Sequence, residues 1–188
     1  MVFYNRSNLY SIIDIETTGQ VISNVKITEI AIYVHDGDKI VDSFCTLVNP
    51  ECYIPNFITN LTGITNEMVA NAPKFYEIAR KIVEITDGTI FVAHNVSFDY
   101  SIVREEFKRL GYAYKRKTLC TVKLGRKYLP GHASYSLGNI CDDLNIKIEG
   151  RHRASGDALA TTKLFEIIME RYKKPVVTKG NAVQGKLF

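Results

Sequence analysis

No CxxC pair occurs among the four cysteines, Cys45, Cys52, Cys120 and Cys141, so neither a zinc knuckle nor a dithiol redox motif is supported. Scattered in this way, they are expected to be buried, reduced thiols. No apolar run approaches the roughly 20 residues a membrane span needs. The polar opening Asn5-Arg6-Ser7-Asn8 lacks the apolar stretch of a secretory leader. The expectation is therefore a soluble cytoplasmic protein with no membrane contact. Internal repeats and low-complexity blocks are absent too, and the stretch from Lys173 to Phe188 has no acidic residue. That last stretch carries a proline and two glycines and is expected to leave the folded body as a flexible tail, giving a domain over 1–172 and a tail over 173–188.

What remains is enough for one substantial core: 188 residues with 46% apolar content. Leu9 to Ile15 is nearly continuous in apolar residues and ends at Thr17-Thr18-Gly19, the pattern of a buried central strand. Ile27–Val34 and Lys39–Val48 flank Asp36-Gly37-Asp38 and read as a hairpin. Helical spacing of Phe75, Ile78, Ala79, Ile82 and Val83 predicts a helix over Pro73–Ile85, broken by Asp87-Gly88 before a short strand, Ile90–Ala93. Ser97 is placed to cap a helix with Ile102, Val103, Phe107 and Leu110 inward, stopped by Gly111. Further helices are predicted near 119–128, near 136–144 with Ser134 or Ser136 as cap, and over 154–172 with Leu164, Phe165, Ile168 and Met169 inward. Strands first and helices later specify an α/β domain whose mixed sheet is flanked by helices.

Against that apolar background, Asp14 is an anomaly: an unpaired carboxylate inside a buried strand costs several kcal/mol (roughly 2–7 even for a neutral polar group). Glu16 follows at the strand period of two, on the same face, and adds repulsion to desolvation. Asp99 falls on the inward stripe of its helix, and Asp157 aligns with Leu164 and Ile168. Four carboxylates balance two divalent cations, and oxygen donors suit Mg²⁺ or Mn²⁺ rather than zinc. Such a pair of ions serves phosphodiester hydrolysis. His152, five residues before Asp157, has an unperturbed pKa near ~6.5 and suits a general base at neutral pH.

The segments Asp14-Ile15-Glu16-Thr17-Thr18-Gly19, Ala93-His94-Asn95 with Phe98-Asp99, and His152-Arg153-Ala154-Ser155-Gly156-Asp157-Ala158 resemble, in order, the three motifs of the DEDDh exonucleases. Leu61-Thr62-Gly63-Ile64-Thr65 and Ser134-Tyr135-Ser136-Leu137 are also similar to the proofreading epsilon subunit of bacterial DNA polymerase III and its stand-alone relatives. The resemblance spans about residues 8–170. It implies a ribonuclease-H-like fold with Asp14, Glu16, Asp99 and Asp157 as ligands of two Mg²⁺ or Mn²⁺ ions and His152 as base. It further implies that Ile15, Thr17, Thr18, Leu61, His94, Asn95 and Phe98 line the pocket for a terminal nucleotide. Beside that implication, the Asn neighbour of His94 reads as the setting of a structural, hydrogen-bonded ring, and His35 and His132 read as surface residues. The activity so implied is 3′–5′ hydrolysis of single-stranded DNA ends in proofreading or repair. A 3′–5′ exoribonuclease and an inactive nucleic-acid-binding module are the alternatives.

Partners are suggested by charge. The net charge is +4, and nine Lys or Arg residues between Arg104 and Lys127, interleaved with Tyr112, Tyr114 and Tyr128, suit a phosphate backbone and its bases; a solvated polar face is the other reading. Gln184-Gly185-Lys186-Leu187-Phe188 resembles the Gln-x-x-Leu-Phe peptides that bacterial replication proteins insert into the sliding clamp. A DNA polymerase is the weaker partner expectation, because little sequence follows the last helix where the polymerase subunit carries a longer docking extension.

Overall fold

The computed structural model describes residues 9–21 and 24–173. Its elements run β1 (Tyr10–Thr17), β2 (Ile27–His35), β3 (Ile40–Leu47), α1 (Asn56–Thr62), α2 (Asn66–Ala70), α3 (Phe75–Ile85), β4 (Ile90–Ala93), α4 (Ser97–Arg109), β5 (Lys117–Cys120), α5 (Thr121–Tyr128), α6 (Leu137–Asp143) and α7 (Ala154–Lys173). The sheet order is β3-β2-β1-β4-β5. β1 pairs antiparallel with β2 and parallel with β4, and β4 pairs parallel with β5. This mixed sheet flanked by helices is the ribonuclease-H-like arrangement expected.

Pleating divides β1 between two cores. Ile13 and Ile15 enter the main cluster with Phe75, Ile82, Ile102, Val103 and Phe107 from α3 and α4. Tyr10 and Ile12 pack instead against Phe165 and Met169 of α7. Each fully buried isoleucine contributes about 1.5–3 kcal/mol of apolar transfer. By the same period of two, Asp14 and Glu16 share the α7 side of the strand. The first turns of α7 approach the sheet closely because Ala31 of β2 meets Ala154 and Ala158, all with no exposed surface.

Several sequence expectations are corrected. β5 and the short helices α1 and α2 had no counterpart in the periodicity; a separate core of Ile54, Ile58, Ile64 and Val69 holds the two helices. Ser97 is already inside α4, whose N-cap is Val96 with no side-chain cap bond, and Ser136 occupies the N-cap of α6 without capping through its side chain. Leu110 is 44% exposed, because α4 ends at Arg109 and the chain leaves the inward stripe there. All four cysteines are free, but Cys45 and Cys52 are exposed, Cys120 is intermediate and only Cys141 is buried. His35 is buried rather than on the surface. Its Nδ1 accepts the Gly37 N–H at 3.0 Å, so Nε2 carries the hydrogen and donates to Glu166 at 3.1 Å. His132 is partly covered and lies 2.7 Å from Asp143. No described helix is long and apolar enough to cross a membrane.

Candidate active site

Three carboxylates converge where β1 meets the start of α7. Asp14, Glu16 and Asp157 each offer an oxygen within 4.8 Å of the others. Asp99, in the first turn of α4 and 5% exposed, lies outside that tight trio but acts on Asp14 electrostatically. One oxygen of Asp157 accepts the His152 backbone N–H at 3.0 Å, while its other oxygen is buried without a hydrogen-bond partner among the described residues. A buried acceptor left open beside two more carboxylates is a poor arrangement for a bare protein and a fitting one for a hard cation with oxygen ligands. The acidic cluster could therefore hold metal.

Charge accumulation appears in the titration of the cluster. Burial pushes Asp14 well above the usual carboxylate range, with Asp99, Glu16, Asp157 and Glu29 adding repulsion. Glu16 is pushed up to about 8 by burial, then by Asp157, Glu29 and Asp99, against the pull of Arg153. Asp99 rises to about 7, again by burial, although backbone hydrogen bonds including that of Ile15 oppose it. Asp157 is raised by burial, opposed first by the His152 N–H.

His152 sits in the turn leading into α7 with φ 61°, a left-handed conformation that costs a non-glycine residue about 1–3 kcal/mol. Its side chain is half-buried. The neighbouring Arg153 reaches back to β2, donating from Nε and Nη2 to Glu29 at 3.0 and 2.8 Å, and the Ala154 N–H donates to the same carboxylate at 2.9 Å. Glu29 is the cross-strand partner of Glu16. Sequence reasoning missed Glu29, although Ile27-Thr28-Glu29-Ile30-Ala31 shows the same signal as Asp14, an acid in an apolar strand.

The residues expected to line a nucleotide pocket divide into two groups. Leu61 is 52% exposed, Asn95 is exposed with φ 71°, and Phe98 is half-buried against the main core. Ile15 is buried in that core. The Thr17 hydroxyl donates to the Gly19 carbonyl at 2.7 Å and that of Thr18 accepts the Lys26 N–H at 3.0 Å, so both shape the β1–β2 connection. His94 is locked: Nε2 donates to the Tyr135 carbonyl and Nδ1 meets the Thr121 hydroxyl, both at 2.9 Å. Burial lowers its pKa, so the ring is neutral and structural at physiological pH.

The basic stretch is mixed in role. Arg109 bonds Glu106 at 2.8 Å and the Val25 carbonyl at 3.1 Å, and Arg116 bonds the Thr86 and Val83 carbonyls at 2.7 and 3.2 Å. Tyr114 is buried and stacked on Phe107, so it is not available to stack on bases. Arg104, Lys108, Tyr112 and Lys115 instead border an open groove of about 650 Å³.

With this geometry in view, similarity to known proteins is specific. A family model described as Exonuclease matches residues 11–165. The chain is 37% identical over 165 residues to a PolC-type DNA polymerase III of Caldanaerobacter subterraneus, covering 88% of this chain and 12% of the relative. It is 36% identical over 167 residues to the 3′–5′ exonuclease DinG of Bacillus subtilis, covering 88% and 18%. It therefore spans less than a fifth of these two relatives. Among solved structures, Exonuclease X in complex with 5′ overhanging duplex DNA superposes with a TM-score of 0.68 at 31% identity, covering 86% of this chain and 91% of that one.

Proposed function

The chain belongs to the Exonuclease family, and on that premise we propose that it hydrolyses single-stranded DNA from the 3′ end, releasing nucleoside monophosphates in replication proofreading or repair. The observation that carries this reading is the meeting of Asp14, Glu16 and Asp157 oxygens within 4.8 Å, with the second Asp157 oxygen left open. Asp14, Glu16, Asp99 and Asp157 would hold two divalent ions, Mg²⁺ or Mn²⁺ by donor chemistry. When bound, such ions polarise the phosphodiester and make water a stronger acid.

The protein's own part is proton transfer and placement. His152 takes the proton of the attacking water as general base. Leu61 and Phe98 wedge against the terminal base, which tolerates any sequence because every base has an apolar face. Asn95 and the backbone around Ile15, Thr17 and Thr18 border the terminal nucleotide, and His94 supports them through its Tyr135 and Thr121 bonds. We place the catalytic unit in residues 1–172 of a cytoplasmic protein; of the proposed tail, 173–188, Lys173 is the last residue of α7 and the rest lies outside the described residues. Gln184, Leu187 and Phe188 lie outside the described residues; on sequence alone they are the segment proposed to engage a sliding clamp. No observation here supports a DNA polymerase partner.

DNA is favoured over RNA because a relative at 37% identity is named as a DNA polymerase and a solved structure at 31% identity is in complex with duplex DNA. The test is a competition between matched 5′-labelled DNA and RNA oligonucleotides with Mn²⁺. Preferential shortening of DNA is expected, RNA preference moves the enzyme to RNA processing, and binding without shortening leaves only a binding module.

A further inference from the structure

We propose that Glu29 and Arg153 form a positioning clamp that ties the His152 turn to the central sheet and so sets the base and Asp157 as one rigid unit; this rests on the exonuclease reading above. The clamp is built from opposite ends of the chain. Glu29 is buried on β2, 124 residues before Arg153, and receives both guanidinium bonds and the Ala154 N–H. A carboxylate taking a two-pronged arginine and a helix-start amide is fixed in direction as well as place. Arg153 cannot move without carrying His152, its chain neighbour.

Three further features tie the turn to its surroundings. Gly150 and His152 have φ of 69° and 61°, left-handed backbone that costs the glycine nothing and is uncommon for a side-chain-bearing residue. The His152 N–H is tied to Asp157, so the turn and the carboxylate move together. On the far side, a Cβ at Gly156 would collide with the Glu149 and Gly150 carbonyl oxygens, so the turn closes directly onto the backbone of α7. The imidazole is thus aimed by a turn pinned from β2 on one side and α7 on the other. Arg153 and Glu29 are positioning residues, acting through His152.

The experiment compares wild type with Arg153→Lys, which keeps the charge and loses the fork, and with Glu29→Gln, which keeps an acceptor for Ala154. A fall in kcat of about 10- to 100-fold on a single-stranded oligonucleotide is expected, with KM within about threefold of wild type. In the metal-free proteins, the His152 amide is expected to exchange its hydrogen at least about tenfold faster in both variants. Wild-type kcat or unchanged exchange in Arg153→Lys overturns the clamp. Because exchange needs no turnover, a wild type that releases no nucleotide overturns the exonuclease reading while the clamp is still judged by exchange.

Discussion

Removing divalent metal is expected to make the protein's stability fall with rising pH. Asp99 titrates near 7 in the folded protein against an ordinary 3.8, and Glu16 near 8 against 4.5. Between about pH 4 and pH 8 the folded chain therefore holds more protons than the unfolded chain, and the sign of linkage is fixed. The stability associated with these groups is fully present below their unfolded values and is lost as pH rises through the folded ones. For Asp99 the displacement of about three units corresponds to about 4 kcal/mol. Repulsion shared with Asp14 divides this between the two carboxylates, about 2 kcal/mol each, and Glu16, partly solvated, adds little. In a chain of this size that is a Tm change of about 4–8 °C. Scanning calorimetry of EDTA-treated protein at pH 5 and pH 8, with and without MnCl₂, makes the measurement. The metal-free Tm should be lower at pH 8, and Mn²⁺ should raise it by at least that amount there and much less at pH 5. Equal metal shifts at both pH values, or a full shift retained in Asp14→Ala, would refute the electrostatic reasoning.

Other outcomes follow from the same structure. His152→Ala should lower the rate about 10²–10⁴-fold while single-strand binding, followed by fluorescence anisotropy, persists; an undiminished rate removes it as the base. Ala158→Leu, inserted where α7 touches Ala31, should destabilise by about 1–3 kcal/mol through overpacking, read by urea denaturation, and a neutral result would mean that the helix can lift off β2 without penalty. Deleting residues 184–188 should abolish co-migration with a sliding clamp while leaving hydrolysis of short oligonucleotides intact; unchanged co-migration discards the clamp peptide.

The central strand and its acids were legible because burial leaves a strong pattern. An apolar run interrupted by Asp14 and Glu16 has few physical explanations, and the same logic found Asp99 and Asp157 from helical spacing. What escaped was set by contacts distant in sequence or by weak local signals. β5 is four residues of mixed polarity, Lys117-Thr118-Leu119-Cys120, and becomes a strand by pairing along β4. His35 is buried because Glu166, 131 residues away, accepts its Nε2 hydrogen. Glu29 is visible as an acid among isoleucines, yet its partner Arg153 lies 124 residues away, a separation that no local pattern bridges. Cys45 and Cys52 are exposed because they lie on an edge strand and in a loop, positions that the average burial of cysteine does not distinguish.

The most direct measurement is the product pattern from 5′-labelled single-stranded DNA incubated with Mn²⁺, beside EDTA-treated enzyme and the Asp14→Ala and Asp157→Ala variants. A ladder shortening from the 3′ end, present only with metal and nearly absent in both variants, is predicted. Full activity in either aspartate variant, or a ladder that survives EDTA, would contradict the carboxylate site.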